Sequence, residues 1–112
     1  MTKQLTATIA LLSLVTLPGT YAHAQSATQF PDAGESVPEL IELYTQSDSG
    51  CRLSRSKDVK VVVACLSRAV YGAALNERDW CLGKQGQANA DMAWHECQSD
   101  SMRFSPLKLP EF

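Results

Sequence analysis

The stretch DVKVVVACLSRAVYGAAL, residues 58–75, decides the fold. Its first half carries Val59, Val61, Val62 and Val63, and a β-branched run of this kind can be read as a strand. The whole stretch supports a helix instead. Val59, Val62, Leu66, Ala69 and Ala73 recur at three- and four-residue spacing with Cys65 beside them, and the pattern continues through Leu75. Asp58 stands where a carboxylate favours the positive end of a helix dipole. The spacing predicts a helix from near Asp58, with a strand over the valines as the alternative.

Upstream, Ser36 followed by Glu39 is a capping box, and Pro38 falls in the first turn, where its missing N–H costs nothing. Leu40, Ile41, Leu43 and Tyr44 supply an apolar face, and Ser47-Asp48-Ser49-Gly50 is expected to end this helix. Downstream, Asn76–Asp79 reads as a polar turn, Gly83-Lys84-Gln85-Gly86-Gln87 as a soft loop, and Ala88–Cys97 as a third helix with Ala90, Ala93, Trp94 and Cys97 inward. The expected fold class is all-α, a small disulfide-stapled bundle of about three to four helices. The string Gln-Ser-Asp-Ser occurs at residues 46–49 and 98–101, a coincidence of polar turn residues more readily than a duplication.

The first two dozen residues have another character. Lys3 is the only charge before Asp32; an apolar stretch runs from Leu5 to Leu17, followed by Pro18, Gly19 and the small-x-small step Ala22-His23-Ala24. Together these describe a cleavable secretory signal peptide, with cleavage before Gln25. As a helix the apolar stretch reaches about 20 Å, short of the roughly 30 Å core of a bilayer. The predicted organisation is therefore signal peptide 1–24, flexible arm 25–35, helical domain 36–104 and extended tail 105–112. The expected location is the periplasm, with secretion as second choice.

The exported part is one small domain, able to bury only about 60–65% of its unfolded surface. Four cysteines supply further constraint: Cys51, Cys65, Cys81 and Cys97. An even count in a short exported chain reads as two disulfides. With no C-x-x-C step, a thioredoxin-like motif and the close ligand pairs of a zinc site are both missing. Three pairings are open. Joining neighbours, Cys51–Cys65 and Cys81–Cys97, closes two loops worth about 3 kcal/mol each by chain entropy, and is the preferred one.

Nine basic residues remain after Lys3 is removed, against twelve acidic ones, and they form no phosphate-neutralising run. The sequence predicts no nucleic-acid partner, no cofactor, no metal and, after cleavage, no membrane contact. No catalytic residue is assigned. His95 lies two residues from Cys97, but positions two apart on a helix face different ways, and a cysteine in an oxidising compartment is more often paired than nucleophilic. His95 reads as a partly exposed surface histidine. Trp80 and Trp94, each near a cysteine, read as packing over the disulfides.

Three segments together resemble a known family: Thr45-Gln46-Ser47-Asp48 at the end of a helix; Cys65-Leu66-Ser67-Arg68-Ala69-Val70-Tyr71-Gly72 on the next; and the step Trp80-Cys81-Leu82. They look like the periplasmic immunity proteins of the Rap/Tai type, over about residues 37–98. Thr45 stands where that family usually carries its first cysteine, and Gly83 replaces a proline. The resemblance implies a non-enzymatic helical protein that inhibits a peptidoglycan amidase toxin delivered by type VI secretion, and it also implies a possible homodimer. Lys84, Gln85 and Gln87 in the soft loop are the candidate partner-binding residues. The competing expectation is a small periplasmic binding or chaperone-like helical protein.

Overall fold

In a computed structural model, residues 28–109 are described. The predicted leader and its cleavage site lie outside them.

Helix α1 spans Val37–Arg52. Its capping box closes reciprocally: the Ser36 N–H donates to Glu39 Oε2 at 2.7 Å and the Glu39 N–H to Ser36 Oγ at 3.3 Å. The polar segment Ser47–Gly50 does not end it. The Thr45 and Ser49 hydroxyls donate to the carbonyls of Ile41 (2.8 Å) and Thr45 (3.1 Å), so these side chains join the helix and do not compete with it. Helix α2 spans Val59–Glu77, with the Asp58 carboxylate accepting from the Lys60 N–H at 3.1 Å. The valine run is helical.

The two helices form an antiparallel hairpin. Cys51 is bonded to Cys65, Arg68 reaches Asp48 at 2.9 Å, and Leu40 and Tyr44 share one buried cluster with Ala74 and Leu75. The apolar repeat that stands out in the sequence is exposed over its N-terminal members, Val59, Val62 and Leu66, and buried only at Ala73. Val59 and Leu66 are 74% and 64% exposed, whereas Leu75 is 0% exposed. Helix α2 thus carries apolar residues on two faces, and the hairpin uses only one.

The expected third helix is not formed, and the fold is not an all-α bundle of three to four helices. Strand β1 (Trp80–Leu82) pairs antiparallel with β2 (Trp94–Glu96), in the register Trp80 with Glu96, Cys81 with His95 and Leu82 with Trp94. Residues Asn89–Asp91 make only a single 3-10 turn. A ten-residue helix here would be too short to stand alone. The backbone instead finds partners across the chain, with Cys97 N–H on Asp79 O at 2.8 Å and Gly83 N–H on Ala93 O at 3.2 Å. The disulfide Cys81–Cys97 locks the two strands. The molecule is a helical hairpin and a two-stranded sheet held by two disulfides, which mark an oxidising, extracytoplasmic compartment.

Asn76 fastens the sheet to α2. Its Nδ2 donates to Trp80 O (2.9 Å) and its Oδ1 accepts from the Phe104 N–H (2.7 Å). Phe104 then lies on Gly72, where a Cβ would stand 2.8 Å from the ring. The segment before α1 is held at the same end. Glu77 accepts from the N–H groups of Gln29 (2.6 Å) and Phe30 (3.1 Å), Arg78 donates to the carbonyls of Ala33 and Glu35, and Gln29 Nε2 donates to Leu107 O at 2.6 Å. These segments clothe the C-terminal half of α2, whereas its N-terminal half buries Val61 and leaves Val59, Val62, Val63 and Leu66 exposed.

Candidate functional site

The loop between the strands carries the three residues singled out for partner binding, and it is more ordered than its glycines suggest. Gly83 has φ 76°, a left-handed conformation open to glycine, and a Cβ there would stand 2.6 Å from Met92 Cγ. Gly86 has φ 74°. Between them the Lys84 N–H donates to Gln87 Oε1 (3.1 Å) and the Gln87 N–H to Lys84 O (3.1 Å), closing the turn on itself. The turn is then pinned to the chain beyond β2: the Gln85 N–H donates to Asp100 O at 2.8 Å, the Met102 N–H to Gly83 O at 3.0 Å, and Lys84 bridges to Ser101. Gln85 and Gly86 are exposed at the apex, whereas Lys84 and Gln87 are half-buried. Of the three predicted contact residues, only Gln85 is fully presented; the Gln87 side chain braces the loop from inside.

Beneath the loop, Cys81 is 0% exposed. Trp80 and Trp94 both pack against the hydrophobic core. Trp94 meets Tyr44 edge-on with centroids 5.0 Å apart and stacks on Phe104 at 6.3 Å, and the Tyr44 ring meets Phe104 at 5.7 Å. This aromatic cluster joins the sheet to α1. Beside it, between α1 and the loop, opens a cleft of about 370 Å³ lined by Tyr44, Asp48, Arg52, Asn89, Met92 and Trp94 among others. One Asp48 oxygen accepts from both Arg52 (3.0 Å) and Arg68 (2.9 Å). Burial pushes the Tyr44 phenol above its ordinary value, and the Asp48 charge adds to that.

His95 is half-buried and more constrained than a free surface histidine. Its Nδ1 lies 3.0 Å from the Ala93 carbonyl, which can only accept, so Nδ1 donates there, and Nε2 lies 2.7 Å from Ser101 Oγ. A hydroxyl against an imidazole is the first pair of a nucleophile and base. Here the Ser101 oxygen also accepts from the Gln98 N–H at 2.8 Å, and the residue is 9% exposed. The pair therefore closes the Gln98–Ser101 turn, the same turn that carries the Asp100 carbonyl holding Gln85. Cys97 takes no part, being bonded to Cys81. Among the described residues, no group of three or more His, Cys, Asp or Glu side chains converges as a metal site.

Sequence reasoning located the loop from its two glycines. It missed the pinning turn, the His95–Ser101 pair and the cleft beside Tyr44, because each joins segments that are polar or unremarkable when read alone. Comparison with protein-family models, curated proteins and solved structures returned no match.

Proposed function

We propose that this chain is a periplasmic immunity protein that binds and inhibits a secreted peptidoglycan amidase toxin, with the Gly83–Gln87 loop as the element it inserts into the toxin's cleft. The single observation that supports this reading is the preorganisation of that loop. The Gln85–Asp100 bond, the internal Lys84–Gln87 bonds and the disulfide beneath it fix the exposed Gln85 apex before any partner arrives. A rigid loop loses little conformational entropy on docking, which is how small inhibitors reach high affinity on a modest contact area. An apex carrying a side-chain amide and a bare glycine backbone offers hydrogen-bond donors and acceptors to a polar cleft. The target class comes from the resemblance, whose segments occupy the end of α1, the middle of α2 and strand β1.

The experiment is direct. Cells directing a peptidoglycan amidase toxin to the periplasm should survive when this chain is co-expressed, and the purified protein should inhibit the toxin on isolated peptidoglycan. Gln85→Glu should weaken inhibition without moving the melting temperature. Continued lysis across the amidase toxins tested, with the protein folded and exported, would refute the proposal.

A further inference from the structure

The hairpin leaves one large feature unused. Along the N-terminal half of α2, Val59, Val62, Val63 and Leu66 form one face at three- and four-residue spacing, and Val59, Val63 and Leu66 are 74%, 55% and 64% exposed. Leu53, in the connection just before α2, is 83% exposed. Scattered single aliphatics on a surface need no explanation; five gathered at one end of a small domain do. The same end is basic. Residues 52–60 hold Arg52, Arg55, Lys57 and Lys60 against Asp58 alone, and the Asp58 carboxylate is spent on the α2 cap. Arg52 pairs with Asp48, whereas Arg55, Lys57 and Lys60 form no ion pair among the described residues. The opposite end of the hairpin, at the start of α1 and the close of α2, carries Glu35, Glu39, Glu42 and Glu77 against Arg78. The charge is thus polarised along the hairpin, with the bare aliphatics at its positive tip.

We infer that this tip docks on an anionic phospholipid surface, with the aliphatic face entering the headgroup boundary and the three unpaired bases meeting lipid phosphates. Charge complementarity selects this occupant. An apolar strip alone would suit any apolar partner, but exposed aliphatics beside unpaired Lys and Arg combine the two attractions that hold a protein on an acidic bilayer, neither of which suffices alone. The protein lies on the surface and does not span it. Although α2 is long and apolar enough to cross a membrane by length and composition, its second half is buried in the domain and its middle is tied to α1 through Cys65. The sequence alone points away from membrane contact because the bases straddle a loop and a helix start, so no single basic helix shows. This tip is at the far end of α2 from strand β1, so lipid docking leaves the inhibitor reading to stand or fall separately.

The test is flotation of the protein recovered from the periplasmic fraction with vesicles of equal parts phosphatidylglycerol and phosphatidylethanolamine, against vesicles of phosphatidylcholine. The protein should float with the anionic vesicles alone, and less as salt is raised. Val63→Glu with Leu66→Glu should abolish flotation. Lys57→Glu with Lys60→Glu should weaken it by roughly fivefold or more per base. All these positions are exposed, so the melting temperature should stay unchanged and vouch for the fold. Failure to float with either vesicle, or equal recovery on both, would overturn the inference. So would a stable dimer in sedimentation that Leu66→Glu dissociates, which would assign the face to a second copy. Binding to an acidic amphipathic peptide but not to vesicles would overturn it in favour of a protein partner.

Discussion

Replacing Cys81 and Cys97 together by alanine should damage the molecule more than replacing Cys51 and Cys65, although chain entropy makes the two staples nearly equal. Their sequence separations are 16 and 14 residues. Loops of that size are worth about 3 kcal/mol each through the unfolded state. The native-state losses differ. Cys81 is fully buried, and its sulfur lies within a sheet of only two three-residue strands. Short two-stranded sheets are marginal alone, and vacating buried volume adds roughly 1 kcal/mol or more to the loss. Helix α1, by contrast, keeps its contacts with α2 through Leu40, Tyr44 and Leu75 when Cys51–Cys65 is gone. In urea, with a slope of about 1 kcal/mol per molar for a domain this small, the Cys51/Cys65 variant should lose roughly 3 M in midpoint. The Cys81/Cys97 variant should lose more, about 4 M, and should shed the β1–β2 amide protection before the helices melt. Equal midpoints with the sheet amides still protected in both variants would refute the reasoning.

Gly72→Ala should lower stability by about 1–3 kcal/mol, because its Cβ meets a ring held between Tyr44 and Trp94. The thermal midpoint reads this, and an added Phe104→Leu should return part of it. Asn76→Ala should cost about 2–3 kcal/mol by leaving the Trp80 carbonyl and the Phe104 N–H without partners; a denaturation curve within error of the parent would contradict the assigned bonds. Bonding to Ser36, first through its backbone N–H, holds the Glu39 carboxyl below its ordinary value. That contribution is present above the unfolded-state value near pH 4 and is lost as pH falls through the folded one, so Glu39→Gln should flatten the acid limb of the stability profile. Tyr44, raised by burial, has the opposite sign. Its contribution is present below about pH 10 and is lost as pH rises through the folded value, so Tyr44→Phe should remove an alkaline destabilisation seen by absorbance titration.

The parts of the fold legible in the sequence were those fixed by near neighbours. Ser36 and Glu39 find each other within one turn, and Asp58 caps the backbone two residues on, so both helix starts can be read locally. The end of α1 could not, because Thr45 and Ser49 bond backward into the helix and the chain runs on to the Cys51 staple. The buried face of α2 was illegible for another reason. With apolar residues on two faces, periodicity marks both, and the repeat runs from exposed Val59 and Leu66 to buried Ala73; only the position of α1, fixed through Asp48, Gly50 and Cys51, distinguishes the faces. The third helix failed because the helical spacing of Ala90, Ala93, Trp94 and Cys97 rests on two alanines, a cysteine held by Cys81 and a tryptophan that packs from a strand. The strand signal there is spread over Trp80–Leu82, fourteen residues earlier. The same separation hid the site's rigidity: Gly83 and Gly86 announce a turn, while the Asp100 carbonyl that holds it lies outside any local window.

Amide hydrogen exchange at Gln85 tests the central claim, that a disulfide-locked hairpin presents an already ordered loop. In the oxidised protein the Gln85 N–H should exchange far more slowly than its exposed side chain would suggest, since it is held by Asp100 at 2.8 Å, and that protection should vanish when Cys81 and Cys97 are both alanine. Exchange at the unprotected rate in the oxidised protein would contradict it, and the preorganised inhibitor would lose its physical basis.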